Sequence, residues 1–140
     1  MSRGAARTGQ VITALIAAFL LFDAIIHVLA IDVVVESFAE LAFPPDAAVG
    51  IGVLELVCLA LYLVPRTSVL GAVLLTGYLG GAVAAQLRIE APLFSTMLFP
   101  VYVGVLVWTG LYLRDARVRA LAPWHGQAHA PSPHRVPADV

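Results

Sequence analysis

Three side chains able to carry charge interrupt the apolar runs of this chain. Asp23 and His27 lie within Val11–Ile31, and Glu55 lies within Ala47–Val64. A charged group at the centre of a bilayer costs roughly 2.5–3.5 kcal/mol on insertion scales, so each of the three marks a candidate site. Asp23 and His27 are four residues apart and share one helical face about a turn from each other. Two carboxyls and an imidazole can exchange protons, pair with one another, or contribute ligands to a metal. Tyr78, Tyr102, Gln86 and Arg88 are the further polar residues within or beside the apolar runs.

Depth turns this set into a constellation. Asp23 stands eight residues before Ile31 and Glu55 eight residues after Ala47, which puts each about 12 Å from the same membrane face. Tyr78 and Tyr102, nine residues from Leu87 and Leu93 respectively, come to about 13 Å. His27, Gln86 and Arg88 fall nearer that face, and the other half offers little beyond Thr76 and Tyr62. The gradient predicts an outward-facing polar cavity on a closed apolar base. Two ionised carboxyls at one depth would repel in a low dielectric, so at least one holds a proton or pairs with His27 or Arg88. A network that only holds helices together, each bond contributing about 0.6–2 kcal/mol, could use Asn or Ser instead. Asp23, His27 and Glu55 are therefore the leading ligand-binding or proton-relay candidates. Tyr78 and Tyr102 serve equally well as structure or site, and Gln86 and Arg88 equally well as interface anchors.

The elements that must position these residues follow from composition. Of 140 residues, 61% are hydrophobic and 12% charged, far from the roughly 25% charged of a soluble domain. Four apolar stretches, about 11–31, 47–64, 69–87 and 93–113, each approach the ~20 residues that cross a bilayer. Backbone groups in lipid must be satisfied within their own segment, so the prediction is helices and not strands. The expected fold is all-α, an integral membrane four-helix up-down-up-down bundle over residues 1–121, with 122–140 as a disordered cytoplasmic tail containing Pro123, Pro131, Pro133 and Pro137. Pro65, Pro92 and the pair Pro44-Pro45 mark loops, Thr67 or Ser68 can cap the third helix, and Val33–Ala42 fits a short helix lying on the outer surface. In the third span Ala72, Thr76, Gly80 and Ala84 recur every four residues beside Gly77 and Gly81, a small-residue row that predicts the packing centre, facing its own bundle in preference to a second subunit.

Arginine placement orients the bundle. Arg3, Arg7, Arg66, Arg114, Arg117 and Arg119 fall at one end and Arg88 alone at the other, while the loop Asp32–Asp46 is acidic. Both termini are expected in the cytoplasm, with the protein in the cell's inner (plasma) membrane. The first run is longer than a secretory signal core and carries Asp23 and His27, so an uncleaved helix is expected although Val28-Leu29-Ala30 loosely fits a cleavage site.

Several classes of chemistry find no support in the residues. Net charge is −1, lysine is absent and no basic face is present, so no nucleic-acid partner is expected. Cys58 is the single cysteine, which excludes dithiol chemistry within one chain. One intramembrane His excludes bis-histidine haem, no Glu-x-x-His appears in a second helix, and no metal is assigned. His125, His129 and His134 are widely spaced in the tail. No flavin, nucleotide, nucleophile-elbow or triad motif is present, and the residues specify no reaction.

The stretch Leu63-Val64-Pro65-Arg66-Thr67-Ser68-Val69-Leu70-Gly71-Ala72, running into Leu75-Thr76-Gly77-Tyr78-Leu79-Gly80-Gly81-Ala82, resembles the DoxX-like family of small bacterial membrane proteins. Phe22-Asp23 with His27, Glu55-Leu56, and Pro92-Leu93-Phe94 followed by Leu98-Phe99-Pro100 extend the resemblance across roughly residues 11–121. Gln86 stands where a His is common in that family, so any role of that His is missing here. The resemblance implies a four-helix membrane protein, and a redox link through the thiosulfate:quinone oxidoreductase subunit for which DoxX is named. Two functions follow as expectations. One is a cavity binding a small apolar or amphipathic molecule, quinone among them, with the Asp23–His27–Glu55 group exchanging protons. The other is a non-catalytic accessory subunit whose arginine-rich end docks a soluble protein partner, or which forms a homo-oligomer.

Overall fold

A computed structural model describes residues 3–44 and 46–121. The expected tail over 122–140, with its prolines and histidines, lies outside the described residues, as does Pro45. Helices are α1 (Arg3–Val28), α2 (Asp32–Glu40), α3 (Ala47–Leu63), α4 (Ser68–Arg88), α5 (Phe99–Arg114) and α6 (Ala116–Leu121), with a π-helical turn at Leu93–Met97 before α5. No strand occurs among the described residues. Gly4–Val28, Ser68–Arg88 and Leu93–Arg114 are long and apolar enough to cross a membrane. The helix α3 is apolar but has 17 residues, about 25 Å against a hydrocarbon thickness of about 30 Å.

Boundaries differ from the sequence expectation at two places, each with a local cause. The α1 helix starts at Arg3, ahead of the apolar run, because Ala5 and Ala6 favour helix and no proline intervenes. The expected last span is broken. Pro100 lies in the first turn of α5 and offers no N–H, so the preceding turn closes with wider bonds, Leu98 N–H to the Leu93 carbonyl at 2.9 Å and Met97 N–H to the Pro92 carbonyl at 3.1 Å.

The long helices pack in a ring of neighbours: α1 against α3 and α5, and α4 against α3 and α5. Each turns one stripe inward at alternating three- and four-residue spacing. In α1 the stripe is Thr13, Ile16, Leu20 and Ala24, and in α3 it is Ala48, Gly52, Glu55, Leu59 and Tyr62. In α5 it is Pro100, Val103, Val107 and Leu111. In α4 it is Ser68, Ala72, Leu75 and Leu79, which corrects the sequence expectation for that helix. Of the small-residue row, Ala72 is buried, but Thr76, Gly80 and Ala84 are exposed. A Cβ on Gly77, Gly80 or Gly81 would meet nothing within 4 Å among the described residues. Leu75 and Leu79 fill the core instead, and the glycines leave room beside it.

Close helix contact is made at other glycines. A Cβ on Gly52 would come within 2.8 Å of the His27 Cβ and 2.9 Å of the Ala24 carbonyl, so α3 touches the α1 backbone there. A Cβ on Gly71 would run into the backbone of Leu61 and Tyr62 at the end of α3. The two ends of the molecule then differ. At the Arg114 end, Arg114 donates to the Tyr62 carbonyl at 2.8 Å with its guanidinium 4.8 Å from that ring's centre. Arg117 donates to the Pro65 carbonyl and Arg119 to the Tyr112 carbonyl. These guanidinium groups satisfy carbonyls that the ends of α3 and α5 leave open. The Arg117 guanidinium beside Asp115 also holds that carboxyl below the usual carboxylate range. At the His27 end, α1, α2 and α4 are followed by Ala30, Ala42 and Glu90 with φ of 46°, 55° and 51°. These are left-handed cap positions that glycine occupies more easily.

Gly71→Ala should cost about 1–3 kcal/mol through overpacking, seen as a lowered thermal midpoint in detergent. Gly80→Ala, in open space, should leave the midpoint unchanged or raise it. Equal midpoints for the two variants would contradict this packing.

Candidate functional site

The inward stripe of α3 carries Glu55 into the interior, where the residue has 0% exposure. About two turns along α4 from the α3 contact at Gly71, Tyr78 reaches the same level and donates from Oη to Glu55 Oε2 at 2.9 Å. Glu55 Oε1 is buried and has no hydrogen-bond partner among the described residues. The α1 helix supplies Asp23 and His27 from the opposite side. His27 Nδ1 lies 2.8 Å from the Asp23 backbone carbonyl, which can only accept, so Nδ1 carries the proton and donates. The same nitrogen is 3.5 Å from Asp23 Oδ2. One donor atom each from Asp23, His27 and Glu55 lie within 4.8 Å of one another. Gly52 makes this approach possible, since it stands one turn before Glu55 where α3 touches α1.

Beside this cluster is a cavity of about 490 Å³, lined by Asp23 and His27 of α1, Ile51 and Leu54 of α3, and Gly77, Tyr78, Gly81, Ala82, Ala85 and Gln86 of α4. Phe38, Leu41 and Phe43 complete it from α2 and the turn that follows. The short helix expected over Val33–Ala42 exists, but it does more than lie on a surface. Its Val34 and Phe38 are buried against Ala48, with Ile26, Phe43 and Ile51 packed around them. Phe38 meets the His27 ring edge-on at 5.6 Å between centres. The helix is a roof over the His27 end of the cavity.

Of the seven candidate residues, the structure brings Asp23, His27, Tyr78 and Gln86 to the wall of one cavity, with Glu55 buried against Tyr78 and the Asp23–His27 pair. Tyr102 is not there. It is 46% exposed on the outside of α5 and donates to the Phe94 carbonyl at 3.4 Å. Its depth matches that of Glu55, but its neighbour Val103 takes the inward position of the stripe. A level shared along the bundle axis is not a shared face. Arg88 is exposed and lies 6.0 Å from the centre of the Phe43 ring, at the edge of the roof and away from the carboxyls. In the other half, Tyr62 donates to the Val107 carbonyl and Thr76 accepts from Trp108 Nε1, each at 2.9 Å, so these two side chains are partnered away from the cavity.

The sequence reading missed the roof residues Phe38, Leu41 and Phe43 and the wall residues Gly77, Gly81, Ala82 and Ala85. Their signal was present: buried positions four apart in the short loop helix, and small residues clustered on the α4 face that also carries Tyr78.

Residues 11–110 match the sequence model described as the DoxX-like family. No curated protein and no solved structure matches the chain.

Tyr78→Phe should leave both Glu55 oxygens without a donor and cost about 1–2 kcal/mol of stability. Tyr102→Phe should cost nothing measurable. Thermal unfolding of the two variants in the same detergent checks this, and equal losses would contradict the assignment of Tyr78 to the buried carboxyl.

Proposed function

The chain belongs to the DoxX-like family, and on that premise we propose that it is a four-span, up-down-up-down membrane protein that holds a small amphipathic molecule in its polar chamber. The observation that carries this reading is the cavity of about 490 Å³ whose apolar walls meet Asp23, His27, Tyr78 and Gln86. Ligand pockets typically measure about 300–1,000 Å³, are mainly apolar, and orient their occupant with a few polar groups. A flat headgroup with carbonyl or hydroxyl oxygens, carried on an apolar tail, suits this wall. Quinones are the class that fits best. The Tyr78 hydroxyl, the His27 ring and the Gln86 amide are the groups to fix such a headgroup, while Phe38 and Phe43 cover it.

In this proposal α3 is the fourth span, its shortness compensated at the His27 end by the α2 roof. The arginine end faces the cytoplasm of the inner membrane, together with both termini and residues 122–140, and the chamber opens outward beneath α2. A redox link would run through the bound molecule, since Cys58 has no second thiol in the chain. The accessory-subunit reading needs a free arginine-rich surface, whereas Arg114, Arg117 and Arg119 are engaged with carbonyls of their own chain.

Two experiments test the proposal. With Cys58 replaced, single cysteines at the exposed Ser37 and at Ser132 should react from opposite sides with an impermeant maleimide in intact cells. Labelling of both from outside would refute the orientation. Native mass spectrometry of the protein purified in mild detergent should show one small-molecule adduct. The adduct should disappear in Gly77→Leu, which fills the cavity from a position with open space around it. It should persist in Gly80→Leu, which fills the separate groove between α4 and α5. No adduct in the parent protein, or equal adducts in both variants, would refute the ligand reading.

A further inference from the structure

We propose that Asp23, His27 and Glu55 together bind one divalent first-row transition ion of the Zn²⁺ type, where the residue types allowed a metal but their spacing assigned none. The inference goes beyond the ligand-binding reading and stands without it, because the donor set is complete before any organic molecule enters.

The first observation is convergence. Three donor atoms from two helices, one imidazole nitrogen and two carboxylate oxygens, lie within 4.8 Å of one another. Bonds of about 2.0–2.2 Å in a tetrahedral site place ligand atoms about 3.3–3.5 Å apart, so the side chains need to close by little more than 1 Å. Asp23 can supply that movement, since its side chain is 33% exposed at the cavity wall. Three protein ligands leave a fourth position open, and Asp23 and His27 line the cavity that would fill it.

The second observation is independent of spacing. Glu55 has no exposure, and its Oε1 has no hydrogen-bond partner among the described residues while Tyr78 holds Oε2. A buried carboxylate oxygen left unpaired is costly, and a cation is the partner that removes the cost most fully. Among the described residues no arginine pairs with it: the ion pairs there are His27–Asp23 and Arg117–Asp115, and Arg88 lies over Phe43. Lysine is absent from the whole chain.

The third observation is that two of the ligands already have the outer partners that metal ligands use. Metal-binding histidines almost always donate their other ring N–H to a carbonyl or carboxylate, which fixes the tautomer. His27 Nδ1–H does so to the Asp23 carbonyl, leaving the lone pair on Nε2. Tyr78 does the same for the carboxylate by holding one oxygen and freeing the other. The mixed nitrogen and oxygen donors select the metal. Mg²⁺ and Ca²⁺ favour about six to eight oxygen ligands, whereas imidazole with carboxylate suits Zn²⁺, Fe²⁺ or Mn²⁺.

The test uses the full chain purified without a polyhistidine tag, with His125, His129 and His134 replaced by Ala in every sample to remove competing imidazoles. Equilibrium dialysis against Zn²⁺ should give one ion per chain, retained in excess Mg²⁺. Affinity should fall at least about 100-fold in Glu55→Gln and in His27→Ala, and about tenfold in Tyr78→Phe, where only an outer partner is lost. It should be unchanged in Tyr102→Phe. X-ray absorption at the zinc edge should show a light-atom shell of nitrogen and oxygen without sulfur. Should Glu55→Gln fail to fold, Asp23→Asn at the cavity wall gives the same reading. Binding that Mg²⁺ displaces, that survives His27→Ala, or that stays well below one ion per chain would overturn the proposal. No organic ligand is added in this experiment, and zinc stoichiometry and the adduct are read separately, so failure of one measurement leaves the other untouched.

Discussion

Glu55 is an ionisable group held away from water by the helices around it, and much of the architecture can be derived from accommodating it. Its carboxyl sits on the inward stripe of α3 with no exposure, in a chain without lysine to pair with it. Accommodation needs donors at its own level, and α4 must therefore present Tyr78 there. It needs α1 close by, and Gly52 allows α3 to touch the α1 backbone beside Ala24 and His27. The same approach brings Asp23 and His27 within 4.8 Å, so the groups that accommodate Glu55 also build a polar cluster. Where α4 carries glycine and alanine next to Tyr78, side chains run out and a cavity opens against the cluster.

The two ends of the molecule divide the remaining work. At the Arg114 end, Tyr62, Arg114, Arg117 and Arg119 each donate to a carbonyl, and guanidinium groups fasten the helices. Around His27 the chain turns three times through left-handed positions at Ala30, Ala42 and Glu90, and α2 folds back as a lid of aromatic residues. Strained backbone of this kind costs about 1–3 kcal/mol per residue and persists only where surrounding packing enforces it. Here it lies at the cavity end, where the turns aim Phe43 and the end of α2 at His27. A base fastened by these bonds and a cavity at the opposite end are what the proposed amphipathic ligand would need.

Much of this was legible in the residues. Helical character followed from composition, because four long apolar segments in lipid must satisfy their own backbone groups. Asp23, His27 and Glu55 stood out because apolar helices rarely carry such groups without a partner, and equal depth brought in Tyr78. Depth failed for Tyr102 because rise along an axis says nothing about rotation around it. The buried stripe Pro100, Val103, Val107 would have placed Tyr102 on the outside. The small-residue row of α4 misled for a related reason. Small residues permit close helix contact, but they also leave space, and only the positions of Leu75 and Leu79 decide which. The arginines were read for orientation alone, since their carbonyl partners belong to helix ends far away in sequence. The break at Leu93–Met97 was written in Pro100, whose missing N–H falls inside an otherwise continuous apolar run.

The central claim is that Glu55, Asp23 and His27 face one another inside the protein and do not face lipid. Solid-state NMR of the protein in bilayers, with ¹³C-labelled aspartate and glutamate, tests it most directly. A through-space cross-peak between the Glu55 and Asp23 carboxyl carbons should be present in the parent protein and absent in Asp23→Asn, with their oxygens within 4.8 Å. A Glu55 signal that correlates with lipid acyl chains and shows no Asp23 contact would contradict the account.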